Sequence, residues 1–147
     1  MAVPRRQTFV SACLMGCACR YDGGQKEDRE LILELGEGAL SFCPEVEGGL
    51  GVPRPRAFFV GGDGMAVWEG RAKVMNEHGE DVTAEFRRGA VRALAASMAG
   101  NCTVAHFKEG SPSCGLTRVD IEGQQTPGLG VAAALFSRAG LVLRGHD

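Results

Sequence analysis

The sequence predicts a single-domain, three-layer α/β fold of Rossmann-like type, in which helices cover both faces of a mostly parallel sheet. The first observation behind this prediction is that strand-like and helix-like segments alternate along most of the chain. The second is the length of 147 residues, which is enough to bury one core without disulfides. The third is a segment rich in glycine and proline, from residue 48 to about residue 76, which predicts an irregular insertion. We therefore expect one domain over residues 1–147.

The predicted strands are short apolar segments with many β-branched or aromatic residues. The parallel sheet is expected to contain TFVSA (8–12), ALSFC (39–43), CTVAHF (102–107) and LVLR (141–144). Within the insertion, MAVWEG (65–70) and RAKVMN (71–76) predict a β-hairpin.

Three segments have helical patterns. Residues 26–35 are charged on one side and rich in leucine on the other, and residues 130–140 contain mostly small apolar residues. The third helix is expected over residues 83–99, with Asp81 or Thr83 as its N-cap. Its predicted apolar stripe consists of Phe86, Ala90, Leu94 and Met98.

Composition and charge exclude several classes of protein. A net charge of −2 argues against binding to polymeric nucleic acid, and no apolar run is long enough to span a membrane. The N-terminal MAVPRRQTFV lacks the apolar segment of a signal peptide. These features predict a cytoplasmic protein, whose six cysteines are ligands, nucleophiles or core residues rather than disulfides. No pattern in the sequence specifies the oligomeric state.

Three cysteines follow predicted strands. Cys13 lies just beyond the first strand, Cys43 ends the second, and Cys114 lies in the loop after the third. Because ligands bind at the carboxyl ends of the strands in open α/β sheets, the three thiols are expected to face one crevice. They could form a metal site there, or they could simply be small buried residues. Cys102 begins the third strand and is expected to pack in the core.

Cys17 and Cys19 form a C-x-x-x-C-x-C pattern together with Cys13. This spacing matches no common zinc or iron–sulfur motif, so we do not expect these residues to be a set of three ligands. Either Cys17 or Cys19 could still lie near the crevice.

Five stretches resemble a family of small bacterial proteins, long known as a domain of unknown function, that includes the thiouracil desulfidases. They are VSACLMG (10–16), RYDGG (20–24), CPEVEGGLGVPRPR (43–56), GEDVTAEF (79–86) and KEGSPSCG (108–115). The resemblance covers almost the whole chain in the same order. It implies a [4Fe–4S] cluster held by only three cysteines, which correspond by motif to Cys13, Cys43 and Cys114. Cys17 and Cys19 occur where the family is variable.

The resemblance also implies a chemistry. An iron without a thiolate ligand has an open position at which it acts as a Lewis acid, and a soft sulfur donor suits it. A thiocarbonyl sulfur bound there is polarised, so that water can attack its carbon and sulfide can leave on iron. No electron has to move, in agreement with the lack of any flavin or nicotinamide motif. The implied reaction is the hydrolytic, non-redox conversion of a thiolated pyrimidine, thiouracil, into uracil and sulfide.

Two carboxylates are candidates for the acid–base step. Glu45 follows Pro44, which fixes the backbone between Cys43 and the carboxylate, so Glu45 is expected near the cluster. It could be the general base that deprotonates water, or a surface residue that caps the next turn. The resemblance favours catalysis. Asp22 is the second candidate, although an aspartate before glycine is typical of a turn.

The remaining candidates would bind substrate. The resemblance implies a catalytic role for Ser111, whereas Ser113 could contact the pyrimidine or could belong to the turn around Pro112. Arg54 matches the family motif, and its guanidinium could hold a carbonyl oxygen or a phosphate. Tyr21 is expected to line the pocket because it neighbours the first motif.

Two other functions remain open from the sequence. The protein could be a sensing or binding module whose labile iron–sulfur cluster has no turnover. It could also be a zinc protein with three thiolate ligands and water in the fourth position. Metal analysis distinguishes zinc from iron, and an assay with a thiouracil distinguishes an enzyme from a sensor.

Overall fold

The computed structural model describes residues 6–147, so the prediction for the N-terminal segment falls partly on residues outside the described range. In chain order the strands are β1 (Thr8–Ser11), β2 (Ala39–Phe42), β3 (Ala57–Val60), β4 (Lys73–Asn76), β5 (Val104–Lys108), β6 (Arg118–Ile121), β7 (Gln124–Pro127) and β8 (Val142–His146). The helices are α1 (Arg29–Leu35), α2 (Pro44–Glu47), α3 (Gly64–Trp68), α4 (Thr83–Ala99) and α5 (Val131–Arg138). A 3₁₀ turn over Ala12–Met15 follows β1 directly.

The first sheet is entirely parallel and has the strand order β2-β1-β5-β8. Its four strands are the four predicted from apolar segments, with ends shifted by one or two residues. Ser11 pairs with Phe42, and the backbone N–H of Lys108 donates to the Ser11 hydroxyl at 3.2 Å. The carboxyl ends of β1, β2 and β5 therefore lie side by side at one edge of the sheet. The predicted fold class is confirmed.

Helices cover both faces of this sheet. On one face, the rings of Phe9, Phe107 and Phe136 are fully buried and lie 4.8–5.5 Å apart, against α4 and α5. On the other face, Val10 packs against Leu31 of α1. Phe9 and Val10 are adjacent in β1, so their side chains point to opposite faces.

The insertion is more regular than predicted. It contributes β3 and β4 to a second sheet of order β4-β3-β6-β7, in which only the β3–β6 pair is parallel. The hairpin predicted from residues 65–76 is wrong, since residues 64–68 form α3 and β4 pairs with β3 instead. The carboxylate of Asp63 accepts a hydrogen bond from the Ala66 N–H at 3.2 Å, which caps this helix at its N-terminus.

Helix α4 has the predicted bounds, but its N-cap is Val82. Asp81 instead accepts a hydrogen bond from the Thr83 N–H at 2.9 Å. The predicted apolar stripe is wrong at its last position, because Met98 is 67% exposed while Phe86 is buried. The buried face of the helix continues instead through Ala93 to Ser97, which is fully buried.

Two glycines allow α2 to pack closely against α4. A Cβ atom on Gly89 would collide with the backbone carbonyl of Pro44, and a Cβ atom on Gly48 would collide with that of Glu85. Because α2 follows β2 at the carboxyl edge of the first sheet, this contact fixes the position of its first turn. Among the described helices, none combines the length and the apolar character needed to cross a membrane.

Candidate active site

A cavity of about 280 Å³ opens at the carboxyl edge of the first sheet. Seven of the nine residues predicted for the site line it: Cys13, Tyr21, Cys43, Glu45, Arg54, Ser111 and Cys114. The other two do not. Asp22 is exposed and accepts a hydrogen bond from the Gly24 N–H at 2.8 Å, whereas Ser113 is buried, with 1% of its surface exposed.

Each of the three predicted cluster cysteines follows a different parallel strand. Cys13 lies in the 3₁₀ turn after β1, Cys43 is the N-cap of α2 after β2, and Cys114 lies in the loop after β5. All three are free thiols, with Cys13 and Cys114 buried and Cys43 half-buried. The parallel sheet thus brings together residues that lie up to 101 positions apart in the sequence.

Burial opposes ionisation of two of these thiols. Desolvation, reinforced by the nearby Cys43, raises the pKa of Cys13 to about 11, although Arg20 and Lys108 act in the opposite direction. Desolvation also raises the pKa of Cys114 well above its ordinary value. A buried thiolate needs a compensating positive charge, which metal coordination provides.

The donor set fits an iron–sulfur cluster. Thiolates are soft ligands, and the three thiols line a single cavity without forming a disulfide. Within residues 6–147, no three His, Cys, Asp or Glu side chains converge on the position of a single metal ion. A mononuclear zinc site requires such convergence. In a four-iron cluster, by contrast, each thiolate binds a different iron.

A fourth thiol, that of Cys19, also lines the cavity. Cys19 is 5% exposed, and its carbonyl oxygen lies 3.9 Å from the Cys43 sulfur. A hydrogen bond from the Cys19 thiol is the largest cause that lowers the pKa of Cys43 to about 7. The sequence did not indicate whether Cys19 lies at the cavity, because its proximity to Cys43 depends on a loop of irregular structure. Cys17 is exposed and does not line the cavity, and Cys102 packs against the main core as its strand position predicted.

The carboxylate of Glu45 is held from two sides. The Arg54 Nε–H donates to Glu45 Oε1 at 3.2 Å, and the Ser111 hydroxyl donates to Oε2 at 3.1 Å. The side chains of Arg54 and Glu45 are only 6% and 14% exposed, so this ion pair is poorly screened by water. Glu45 therefore lies on the cavity wall as an oriented carboxylate.

Ser111 connects this carboxylate to Cys114, one of the three predicted cluster ligands. Its hydroxyl oxygen accepts hydrogen bonds from the backbone N–H groups of Ser113 at 3.1 Å and Cys114 at 3.3 Å. The hydroxyl hydrogen is consequently directed towards Glu45. A movement of the loop that carries Cys114 would also displace Ser111.

Arg54, predicted to bind substrate, has its guanidinium hydrogen-bonded within the protein. Besides Glu45, it donates to the carbonyl oxygens of Gly51 at 3.0 Å and Cys19 at 2.9 Å. Arg54 thus ties the loop of Cys19 to the Glu45 carboxylate. Sequence analysis could not find this role, because it depends on contacts between residues 35 positions apart.

The cavity wall carries cations that sequence analysis missed, among them Lys108 and Arg20. Lys108 is the last residue of β5, a position that places it at the carboxyl edge, and Arg20 precedes Tyr21. Burial, together with the charge of Arg20, lowers the pKa of Lys108. Their positive charges favour the thiolate form of the nearby Cys13.

Both the sequence and the fold match known proteins. The model of a family described as 2-thiouracil desulfurase matches residues 8–146. The chain is 39% identical over 138 residues to the uncharacterized protein YbbK of Bacillus subtilis (strain 168), with 90% of each chain covered. Its structure matches that of the [4Fe-4S]-dependent thiouracil desulfidase TudS with a TM-score of 0.81 and 41% identity, over 97% of this chain and 92% of that chain.

Proposed function

Because the chain belongs to the 2-thiouracil desulfurase family, we propose that it removes sulfur from thiolated pyrimidines by hydrolysis, without net electron transfer. The resemblance found in the sequence is confirmed by this membership. The family and the structural neighbour support an enzyme that desulfurates thiouracil with a [4Fe–4S] cluster. The hydrolytic course of the reaction, the ligands of the cluster and the acid–base residues are our proposal.

The observation that carries the proposal is the arrangement of three thiols around one cavity together with an oriented carboxylate. Cys13, Cys43 and Cys114 would hold the cluster. When bound, a cluster with three cysteine ligands supplies an iron without a protein ligand, a Lewis acid to which the soft sulfur of a thiocarbonyl group can bind.

Glu45 is the proposed general base. Its carboxylate removes a proton from water as the oxygen of that water bonds to the thiocarbonyl carbon. The same proton can then pass from Glu45 to the sulfur, which leaves as hydrosulfide when the C–S bond breaks. The second proton of the water is released to solvent as the new carbonyl group forms, so thiouracil and water give uracil, hydrosulfide and one proton. The carbon exchanges sulfur for oxygen at a constant oxidation level, so the overall reaction consumes only water.

Neighbouring residues orient the carboxylate of Glu45 for this role. The guanidinium of Arg54 holds Oε1, while the Ser111 hydroxyl holds Oε2. Ser111 can also turn its hydroxyl towards a bound substrate, at the expense of its bond to Glu45. Tyr21, which is 39% exposed, offers an aromatic face at the cavity to a pyrimidine ring.

Single substitutions of the cysteines test the ligand set. After anaerobic reconstitution, Cys13→Ala, Cys43→Ala and Cys114→Ala should each lose a stable cluster, because two irons would then lack a protein ligand. Cys17→Ala and Cys102→Ala are matched controls that should retain the iron and sulfide content of the unsubstituted protein. The proposal is wrong if Cys17→Ala loses its iron while Cys114→Ala keeps it.

The same preparation separates the alternatives. Zinc in place of iron in the protein as isolated would support the mononuclear site. A complete cluster that does not convert thiouracil to uracil would support a sensing module. Conversion that depends on a complete cluster would support the desulfidase.

A further inference from the structure

A single side chain, that of Glu109, ties together the two ends of the loop that carries Cys114. We propose that Glu109 is a positioning residue, which holds residues 109–117 in the conformation that presents Cys114 and Ser111 to the cavity. We refer to these residues as the Cys114 loop. The proposal rests on the proposed function only in that Cys114 is taken as a cluster ligand.

The contacts of Glu109 span the loop. Its Oε1 accepts hydrogen bonds from the backbone N–H groups of Leu116 at 2.8 Å and Thr117 at 3.1 Å. Its Oε2 accepts the hydroxyl hydrogen of Thr117 at 3.0 Å. Glu109 directly follows β5, so these three bonds tie the far end of the loop to the end of that strand.

The carboxylate is buried, which makes these bonds important. Glu109 is 8% exposed, although glutamate is rarely buried to this extent. A buried carboxylate requires hydrogen-bond donors, and two of its donors are backbone N–H groups of the loop itself. Removal of the carboxylate would leave both backbone groups without this acceptor, so the loop would have to rearrange to find others.

Strand β8 confines the side chain from the opposite side. The Glu109 N–H donates to the His146 carbonyl oxygen at 2.7 Å. A Cβ atom on Gly145 would lie only 2.5 Å from Glu109 Oε2. The absence of a side chain at Gly145 therefore leaves the space that the carboxylate occupies.

The turn inside the loop has hydrogen bonds of its own. The Gly115 N–H donates to the Ser111 carbonyl oxygen at 2.9 Å, and the Ser111 hydroxyl accepts from the Cys114 N–H. The start of α5 holds one side of this turn, since the Ala132 N–H donates to the Ser113 carbonyl oxygen at 2.9 Å. Glu109 holds the other side through its hydrogen bonds to Leu116 and Thr117. Loss of its carboxylate is therefore expected to release the turn as a unit, which would move Cys114 and Ser111 together.

Alkylation of thiols in the metal-free protein measures this positioning directly. Cys114 is 4% exposed, so its reaction with iodoacetamide requires the loop to open. In Glu109→Ala we expect Cys114 to react at least about tenfold faster, while the rate for Cys13 stays within about twofold of its original value. Glu109→Gln should react nearly as slowly as the unsubstituted protein, because the amide oxygen can still accept both N–H groups. Mass spectrometry of the tryptic peptides separates Cys114, in residues 109–118, from Cys13, and fragmentation of the peptide of residues 7–20 distinguishes Cys13 from Cys17 and Cys19.

Asn76→Ala is the matched structural control. Asn76 is 5% exposed, and its side chain accepts hydrogen bonds from the N–H groups of His78 and Glu80, both at 3.0 Å, in a turn after β4. This variant removes a comparable set of bonds from another loop. It should destabilise the protein without a change in the rate for Cys114.

Gly145→Ala is a second, independent perturbation. It keeps Glu109 but places a methyl group against Oε2, so the rate for Cys114 should rise, by less than in Glu109→Ala. If Glu109→Ala does not fold, Gly145→Ala and Glu109→Gln still test the proposal.

Unchanged Cys114 rates in both Glu109→Ala and Gly145→Ala would overturn the positioning role. So would an equal acceleration of Cys13, since it would indicate general unfolding. These rates are measured without metal, so they do not depend on whether Cys114 binds iron. The iron content of the cysteine variants decides that separate question.

Discussion

Replacing Glu45 by glutamine keeps the size of the side chain and removes its charge. The carboxylate lies between the Arg54 guanidinium at 3.2 Å and the Ser111 hydroxyl at 3.1 Å. In Glu45→Gln the amide oxygen can still accept the hydrogen bond from Arg54, but the amide nitrogen cannot accept a proton from water. If Glu45 is the general base, the turnover number should fall by about 10²–10⁴. That range corresponds to about 3–5 kcal/mol of activation free energy.

The effect on stability should be smaller than the effect on the activation barrier. The ion pair of Glu45 and Arg54 is buried, and breaking a buried pair typically costs about 3–5 kcal/mol. Glutamine retains an acceptor, and Arg54 keeps its bonds to the carbonyl oxygens of Gly51 and Cys19. We therefore expect a loss of about 1–3 kcal/mol in the free energy of unfolding.

The assay compares turnover at equal cluster content. Uracil formation from thiouracil is measured anaerobically, and each rate is divided by the iron content of the sample. Glu47→Gln is the matched control, because Glu47 lies on the same helix with an exposed side chain. Unchanged turnover in Glu45→Gln with a complete cluster would refute the catalytic role. An equal fall in Glu47→Gln would show that the charge of α2, rather than Glu45 itself, controls the rate.

Three further predictions concern other parts of the molecule. Gly89→Ala should lower both iron content and turnover, because a methyl group there would push the Pro44 carbonyl and displace α2. Cys19→Ala should raise the pKa of Cys43 in the metal-free protein above about 7, as followed by alkylation over a range of pH, since the hydrogen bond from Cys19 lowers it. Burial lowers the pKa of His106 in the folded protein below its ordinary value of 6.5. Between 6.5 and that lower pKa the unfolded chain binds more protons than the folded protein, so the free energy of unfolding should decrease as the pH falls through this range.

Each of these predictions has a control. Gly38→Ala should leave iron content unchanged, because a Cβ atom there meets nothing within 4 Å. Cys102→Ala should leave the titration of Cys43 unaltered, since Cys102 packs against the main core and does not line the cavity. The histidine prediction fails if His106→Asn, measured by denaturant unfolding at about pH 7.5 and about pH 5.5, keeps the full pH dependence of the unsubstituted protein.

The first sheet and its thiols were predictable because both follow from local patterns. Short apolar segments such as TFVSA and ALSFC can be buried on both sides, which is typical of parallel strands. Parallel strands then bring their carboxyl ends to one edge, so the positions of Cys13, Cys43 and Cys114 along the chain were sufficient to place them at one cavity. No knowledge of long-range contacts was required.

The second sheet was not predictable from the same patterns. The sequences of β6 and β7, RVDI and QQTP, contain few apolar residues, and β7 has no fully buried residue. Their pairing depends on a tight turn in which Glu122 and Gly123 both have positive φ. Conversely, MAVWEG (65–70) was predicted as a strand because of its apolar residues. The capping carboxylate of Asp63 and the bond from the Trp68 indole N–H to the Val131 carbonyl oxygen at 2.8 Å instead stabilise it as a helix.

The hydrogen bonds that hold the candidate site in place were also not predicted. The substrate-binding role of Arg54 stays a prediction, whereas the hydrogen bonds of its guanidinium to Glu45 and to the backbone of Cys19 were not predicted. Glu109 was not singled out at all, although its carboxylate closes the Cys114 loop. Both roles depend on how irregular loops fold back on themselves, and the spacing of residues in the sequence carries no signal for that.

The hydrolytic course of the reaction is tested most directly by the origin of the product oxygen. The cluster-loaded protein is incubated anaerobically with thiouracil in isotopically labelled water, without any electron donor, and the uracil is examined by mass spectrometry. Multiple turnovers, one labelled oxygen in each uracil and an equal amount of hydrosulfide are the predicted result. A requirement for a stoichiometric reductant, or uracil whose new oxygen does not come from water, would contradict the proposed mechanism.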